Sequence, residues 1–204
     1  MPEEKKLTIL QEQRKTKPEI DGFITEYLDG DLKANALEFV AWLRANKMPP
    51  RWGGRINTWR SVCKSKQICT IQINVLHMTG GHRGFFDDRP GHPPCWVIRP
   101  WLDNRESYRE SIMEGGLQDL IWNHARHCVF SEKTTTPGLG CNPGKTCAPG
   151  RDVTVLGKTV TNNCCGYFSM QVWNPDEVTI SGVKRLLEFE QKARAESIVR
   201  NKNK

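Results

Sequence analysis

The sequence predicts an α+β fold, an antiparallel sheet of about five strands with helices packed on one face. Apolar residues recur at helical spacing near both ends of the chain and once in the middle, and runs of alternating β-branched and aromatic residues lie between them. Short polar turns join those runs, which suits antiparallel pairing. With 204 residues, 37% of them apolar and 26% charged, the chain is long enough to bury a core and has a globular balance.

Residues 1–17 are polar and mixed in charge and read as a flexible lead-in. Residues 18–198 read as one α+β domain and 199–204 as a basic tail. Pro18 opens a short helical pattern that stops near Gly30. Asp29 or Asp31 then caps a stronger helix with Leu32, Ala36, Val40 and Leu43 on one stripe, ended by Met48-Pro49-Pro50. From Arg55 the period changes to two. Trp59–Cys63, a Lys-Ser-Lys turn and Ile68–Leu76 predict a hairpin with Ile71, Ile73 and Val75 on one face.

Cys95–Trp101 predicts a third strand, with Pro100 at an edge or strand end. Leu117, Leu120, Ile121, His124 and Cys128 restore the helical period over 115–128. Val153–Val160 and Gly166–Trp173 read as two further strands. Asn174-Pro175-Asp-Glu then predicts a helix start with Asn174 as cap, and Val183, Leu186, Leu187 and Ala193 form the apolar side of that helix.

The charged start, Met-Pro-Glu-Glu-Lys-Lys, lacks the apolar stretch of a signal peptide, and no run approaches the roughly 18 apolar residues of a membrane span. The expectation is a cytoplasmic protein without a membrane partner, whose eight cysteines serve as thiols or metal ligands rather than disulfides. A formal charge of +7 admits nucleic acid as a partner. Much of that surplus lies between Lys184 and Lys204, where a basic helix end and solvated tail account for it.

Five cysteines, Cys128, Cys141, Cys147, Cys164 and Cys165, surround a segment of Gly, Pro, Thr and Asn that cannot build a core of its own. Four thiolates about 2.3 Å from a zinc ion would fasten such a segment. His124 and His127 are spare nitrogen donors. The same sulfurs admit other readings: ordinary buried thiols, an iron-sulfur cluster, or a redox pair of Cys141 and Cys147.

Gly138–Thr146 approaches a phosphate loop, but the required glycine five residues before Gly144 is Leu139, and neither a strand nor a helix flanks it. His77, His82, Asp87, Asp88 and His92 form a second group of potential ligands, on a Gly/Pro-rich loop where turn chemistry also explains them. Trp59, Trp96, Trp101 and Trp173, with Arg99 among them, lie on predicted strands. They suit a small apolar or aromatic ligand on a sheet face, or a packed seam between sheet and helices. No G-x-S-x-G, H-E-x-x-H or paired-acid pattern supports nucleophilic or acid–base catalysis.

The hairpin from Trp59 to Val75, the tryptophan-bearing strand, the central helix and the closing Asn174-Pro175-Asp-Glu helix resemble the YdhG-like, frataxin-type domains over roughly residues 30–195. The resemblance implies a small α+β sandwich with a metal-handling or ligand-binding role. Iron-handling members present an acidic ridge, whereas this chain is basic, and the cysteine segment has no counterpart, so no functional residue transfers. The expected function is a non-enzymatic binding module with zinc at the cysteines and a small ligand on the tryptophan face. A thiol-based redox or transferase enzyme using Cys141 or Cys147 is the alternative, and a nucleic-acid-binding protein the third reading.

Overall fold

A computed structural model describes residues 7–74, 94–125, 151–163 and 170–202. The fold is α+β. Helices α1 (Ile9–Thr16), α2 (Ile20–Tyr27) and α3 (Gly30–Ala45) lead into strands β1 (Arg51–Arg55), β2 (Thr58–Cys63), β3 (Lys66–Ile73) and β4 (Trp96–Pro100). A 3-10 turn (Arg105–Tyr108), α4 (Arg109–Glu114) and α5 (Gln118–Asn123) follow. The hairpin β5 (Arg151–Val155) and β6 (Lys158–Asn163), the short β7 (Val172–Trp173) and the long α6 (Glu177–Lys202) complete the order. The main sheet runs β1-β2-β3-β4-β7, antiparallel throughout, and β5-β6 form a separate two-stranded sheet.

Register divides the main sheet into two unlike faces. Trp59, Ile71, Ile98 and Val172 are successive cross-strand neighbours, as are Ile73 and Trp96. These apolar residues meet the helices: Phe23 of α2 sets its ring 5.1 Å from Trp59, edge to face, and Phe39 of α3 lies 6.2 Å from Trp96. Val183, Leu186 and Leu187 of α6 join the same cluster. Gly182 permits close approach of α5, since a Cβ there would fall 2.7 Å from Leu120 Cδ2.

Several elements differ from the pattern-based expectation. The N-terminal segment, expected to be a flexible lead-in, contains α1, which a capping box between Thr8 and Gln11 starts and which the buried Gln13 docks. Gln13 Nε2 donates to Asn57 Oδ1 at 2.6 Å, and its Oε1 accepts from Asn57 N at 2.9 Å. Those bonds tie α1 to the turn between β1 and β2. Val153–Val160 is not one strand: Leu156 and Gly157, both at positive φ, turn it back on itself. The central helix stops at Asn123, because His124 O accepts from Gln171 N and Ala125 bridges Met170. Asp176 rather than Asn174 caps α6, accepting from Thr179 N at 2.8 Å, while Asn174 Oδ1 accepts from Trp96 N.

An exposed fork joins α2 to α3, where both terminal guanidinium nitrogens of Arg44 donate to Asp21. Arg44 holds the Asp21 carboxyl below its ordinary value of 3.8. A depressed folded value means that the pair's stabilisation is present above pH 3.8 and is lost as pH falls through the lower folded value. Solvent screening keeps it within about 1 kcal/mol. Asp21→Asn is expected to lower the neutral plateau of a stability–pH curve by up to about 1 kcal/mol while leaving stability at the acid end nearly unchanged, so that the acid slope flattens, as urea midpoints across pH would read.

Candidate functional site

The expected tryptophan face divides between the two sides of the sheet. Trp59 and Trp96 are wholly buried against the helices, so they fill the seam and line no cleft. Trp59 Nε1 donates to Pro18 O at 2.8 Å, which satisfies its polar edge inside the core. Arg99, Trp101 and Trp173 belong to the opposite face. That face contains the arrangement of most chemical interest.

One row of direct cross-strand neighbours runs Arg51, Arg60, Thr70 and Arg99 over β1 to β4. The next row runs Arg55, Thr58, Gln72, Val97 and Trp173 over all five strands. At the other end Val62 lies opposite Gln67, and Trp101 follows Arg99 by two residues. None of these positions is a carboxylate. The rows are neighbours at the usual strand spacing of about 4.8 Å, so the first spans about 14 Å from Arg51 to Arg99.

Local sequence explains how the arginines come to share the face. Between Trp52 and Arg55 the register with β2 shifts, and Gly53-Gly54 form a bulge in the edge strand. Gly54 has φ +77, a conformation that glycine adopts without strain. The bulge inserts two residues, so Arg55 falls opposite Thr58 and on the same side as Arg51. A Cβ on Gly53 would lie 3.0 Å from Arg60 Cγ and 3.1 Å from Thr58 O. Arg60 therefore lays its stem across the bare backbone of β1. Gly54→Ala is expected to cost about 1–2 kcal/mol through the left-handed backbone alone, read as a lower urea midpoint at constant slope.

Arg51, Arg55 and Arg60 are exposed, and no ion pair among the described residues engages them. The basic positions of α6 behave differently. Lys184 bonds Glu38, Arg185 donates to Gly115 O, and Arg194 is buried against Glu190. In its described part the basic helix expected near the C-terminus is internal only at Arg194, while Arg185 and Lys192 stay exposed. Along the sheet the aromatic end is held in place as well. Trp101 Nε1 donates to Thr70 Oγ1 at 3.4 Å and Gln67 Nε2 donates to the same oxygen at 2.7 Å. Trp101 still leaves 42% of its surface open, and Val62 leaves 46%.

Comparison with protein-family models, curated proteins and solved structures finds no match. The cysteine set Cys128, Cys141, Cys147, Cys164 and Cys165 lies outside the described residues, as do the alternative ligands His77, His82, Asp87, Asp88 and His92, and Gly138–Thr146. Among the described residues no three His, Cys, Asp or Glu side chains converge as metal ligands, and no helix is long and apolar enough to cross a membrane. His124 is half-buried, and burial lowers its basicity. Cys69 is enclosed in the core, where burial raises its thiol far above the ordinary range. Such a thiol is a poor nucleophile at neutral pH.

Motif searches overlook Arg51 and Arg60 because the pattern matches no catalytic or metal signature. A signal was present in Arg-Trp-Gly-Gly-Arg, followed by Thr58, Arg60 and Val62 at period two. Its meaning depends on the bulge, which the period-two count alone does not reveal.

Proposed function

We propose that the protein is a cytoplasmic, non-enzymatic binding module that holds an extended polyanion against the arginine-bearing face of its sheet. The observation that carries this reading is Arg51 directly opposite Arg60, both exposed, beside Arg55 and with no carboxylate at the described strand positions of this face. Like charges directly opposite one another lower stability, by up to about 1 kcal/mol. An anionic ligand removes that penalty and turns it into affinity. The bulge supports the reading too, since edge bulges commonly re-aim a side chain next to a functional site. For the compartment, support comes from Cys63 and Cys69, buried thiols outside any disulfide, the state that reducing conditions maintain.

The test is binding to labelled oligonucleotides, polyphosphate and heparin over a range of salt. Neutralising three phosphates predicts a log–log salt slope of roughly −2. The triple variant Arg51→Gln, Arg55→Gln, Arg60→Gln is expected to abolish that slope while retaining the circular-dichroism spectrum of the parent. Arg60→Gln alone is expected to raise stability by a few tenths of a kcal/mol by relieving the opposition with Arg51. A parent protein that binds none of these chains at low salt removes the reading.

A further inference from the structure

The polyanion reading leaves the chemistry of the chain open, and the neighbourhood of Arg60 narrows it. Phosphate, sulfate and carboxylate chains need cations and nothing else. Here the row of arginines borders an apolar and aromatic end, Val62 on β2 and Trp101 just past β4, with Gln67 between them. Both apolar side chains face outward on the same side as Arg60, although the opposite side of the same strands buries Trp59 and Cys69 completely or nearly so. The indole is tethered by its nitrogen to Thr70, the residue directly opposite Arg60. A ring with its polar edge already bonded and its plane partly open offers a stacking surface at low entropic cost.

We infer that this face binds single-stranded nucleic acid, with a base stacked on Trp101 against the apolar Val62 and the backbone phosphates on Arg60, Arg51 and Arg55. The inference rests on the polyanion reading above and names its substrate. Stacking on an aromatic next to a cationic groove is the general chemistry by which proteins hold unpaired strands without reading sequence. A duplex hides its base faces and gives Trp101 nothing to stack on. A simple polyanion has no faces at all.

The experiment compares a fluorescein-labelled oligothymidylate of about twelve residues, the same strand annealed to its complement, inorganic polyphosphate, and vesicles containing phosphatidylserine. All are measured by anisotropy or sedimentation with the full chain. The single strand is expected to bind tightest and to quench part of the tryptophan emission. Trp101→Leu should weaken the single strand about tenfold, remove the quench and leave polyphosphate binding unchanged. Trp101→Phe should retain most of the affinity, because the remaining ring still stacks. The arginine triple variant should weaken every anion alike.

Equal affinity for polyphosphate and single strand, with Trp101→Leu indistinguishable from the parent, overturns the nucleic-acid inference and leaves the polyanion reading standing. Tighter binding to the duplex or to the vesicles overturns it in the same way. Binding to none of the four probes removes both. Because Trp101 is exposed, its variants are expected to melt with the parent, and a matching thermal midpoint confirms that the loss is local.

Discussion

Replacing Glu190 with alanine is expected to destabilise the fold by about 3–5 kcal/mol, the range for leaving one half of a buried ion pair without its partner. Glu190 has no exposed surface. Its carboxylate accepts from Asn104 N at 3.0 Å, Asn104 Nδ2 at 2.8 Å, Tyr108 Oη at 2.7 Å and Arg194 Nε at 2.7 Å. Arg194 in turn donates to the carbonyls of Lys66, Gln67 and Trp101 and to Asp103. One turn of α6 thus ties together the start of β3, the end of β4 and the 3-10 turn. Burial beside Glu190 raises the Tyr108 hydroxyl well above its ordinary range, so it stays a proton donor to the carboxylate.

The same logic predicts strong coupling. Arg194→Met alone leaves Glu190 buried and charged, whereas Glu190→Leu with Arg194→Met replaces the pair by apolar volume and should recover much of either single loss. Urea denaturation of the four proteins in the cycle measures the coupling. Single variants that each cost less than about 1 kcal/mol would show that this network is ornamental to stability. Since Arg194 holds the backbone of Gln67 and Trp101, its loss should also blunt binding at the aromatic end of the sheet face.

The second large effect is expected at Trp59. Trp59→Ala should cost about 3–5 kcal/mol, because it removes a wholly buried ring and leaves a cavity that the sheet and α2 cannot close. It also strips the edge contact with Phe23 and leaves the carbonyl of Pro18 without its donor. Trp101→Ala on the other face should stay within about 0.5 kcal/mol, the usual range for an exposed site. The contrast separates the two tryptophans by role. Midpoints of urea unfolding at unchanged slope read it directly, and a small loss at Trp59 would mean that the seam repacks.

Much of the architecture was legible before any coordinates. The helix over Leu32–Leu43, the Trp59–Cys63 hairpin with its Lys-Ser turn and the tryptophan strand at 96–100 each carry a local period, and local periods survive folding because side-chain direction repeats with the backbone. What escaped reading depended on partners distant in the chain. The helix α1 holds by Gln13 reaching Asn57. The central helix ends where Gln171 captures the His124 carbonyl. Arg194 looked like part of a solvated basic tail, and only a carboxylate one turn earlier and carbonyls at residues 66, 67 and 101 make it internal.

The amino-acid order by itself determined the α+β class and the strands β2, β3 and β4 with their alternation, since hydrophobic periodicity is a property of neighbours along the chain; it marked neither β1 nor the turn that divides β5 from β6. Which tryptophans entered the core beneath the helices and which lie on the other side of the sheet was decided by the tertiary structure, as was the alignment of Arg51 with Arg60. A one-residue change of register would send the same side chains to the other face, and without the Gly-Gly bulge Arg55 would lose its place opposite Thr58.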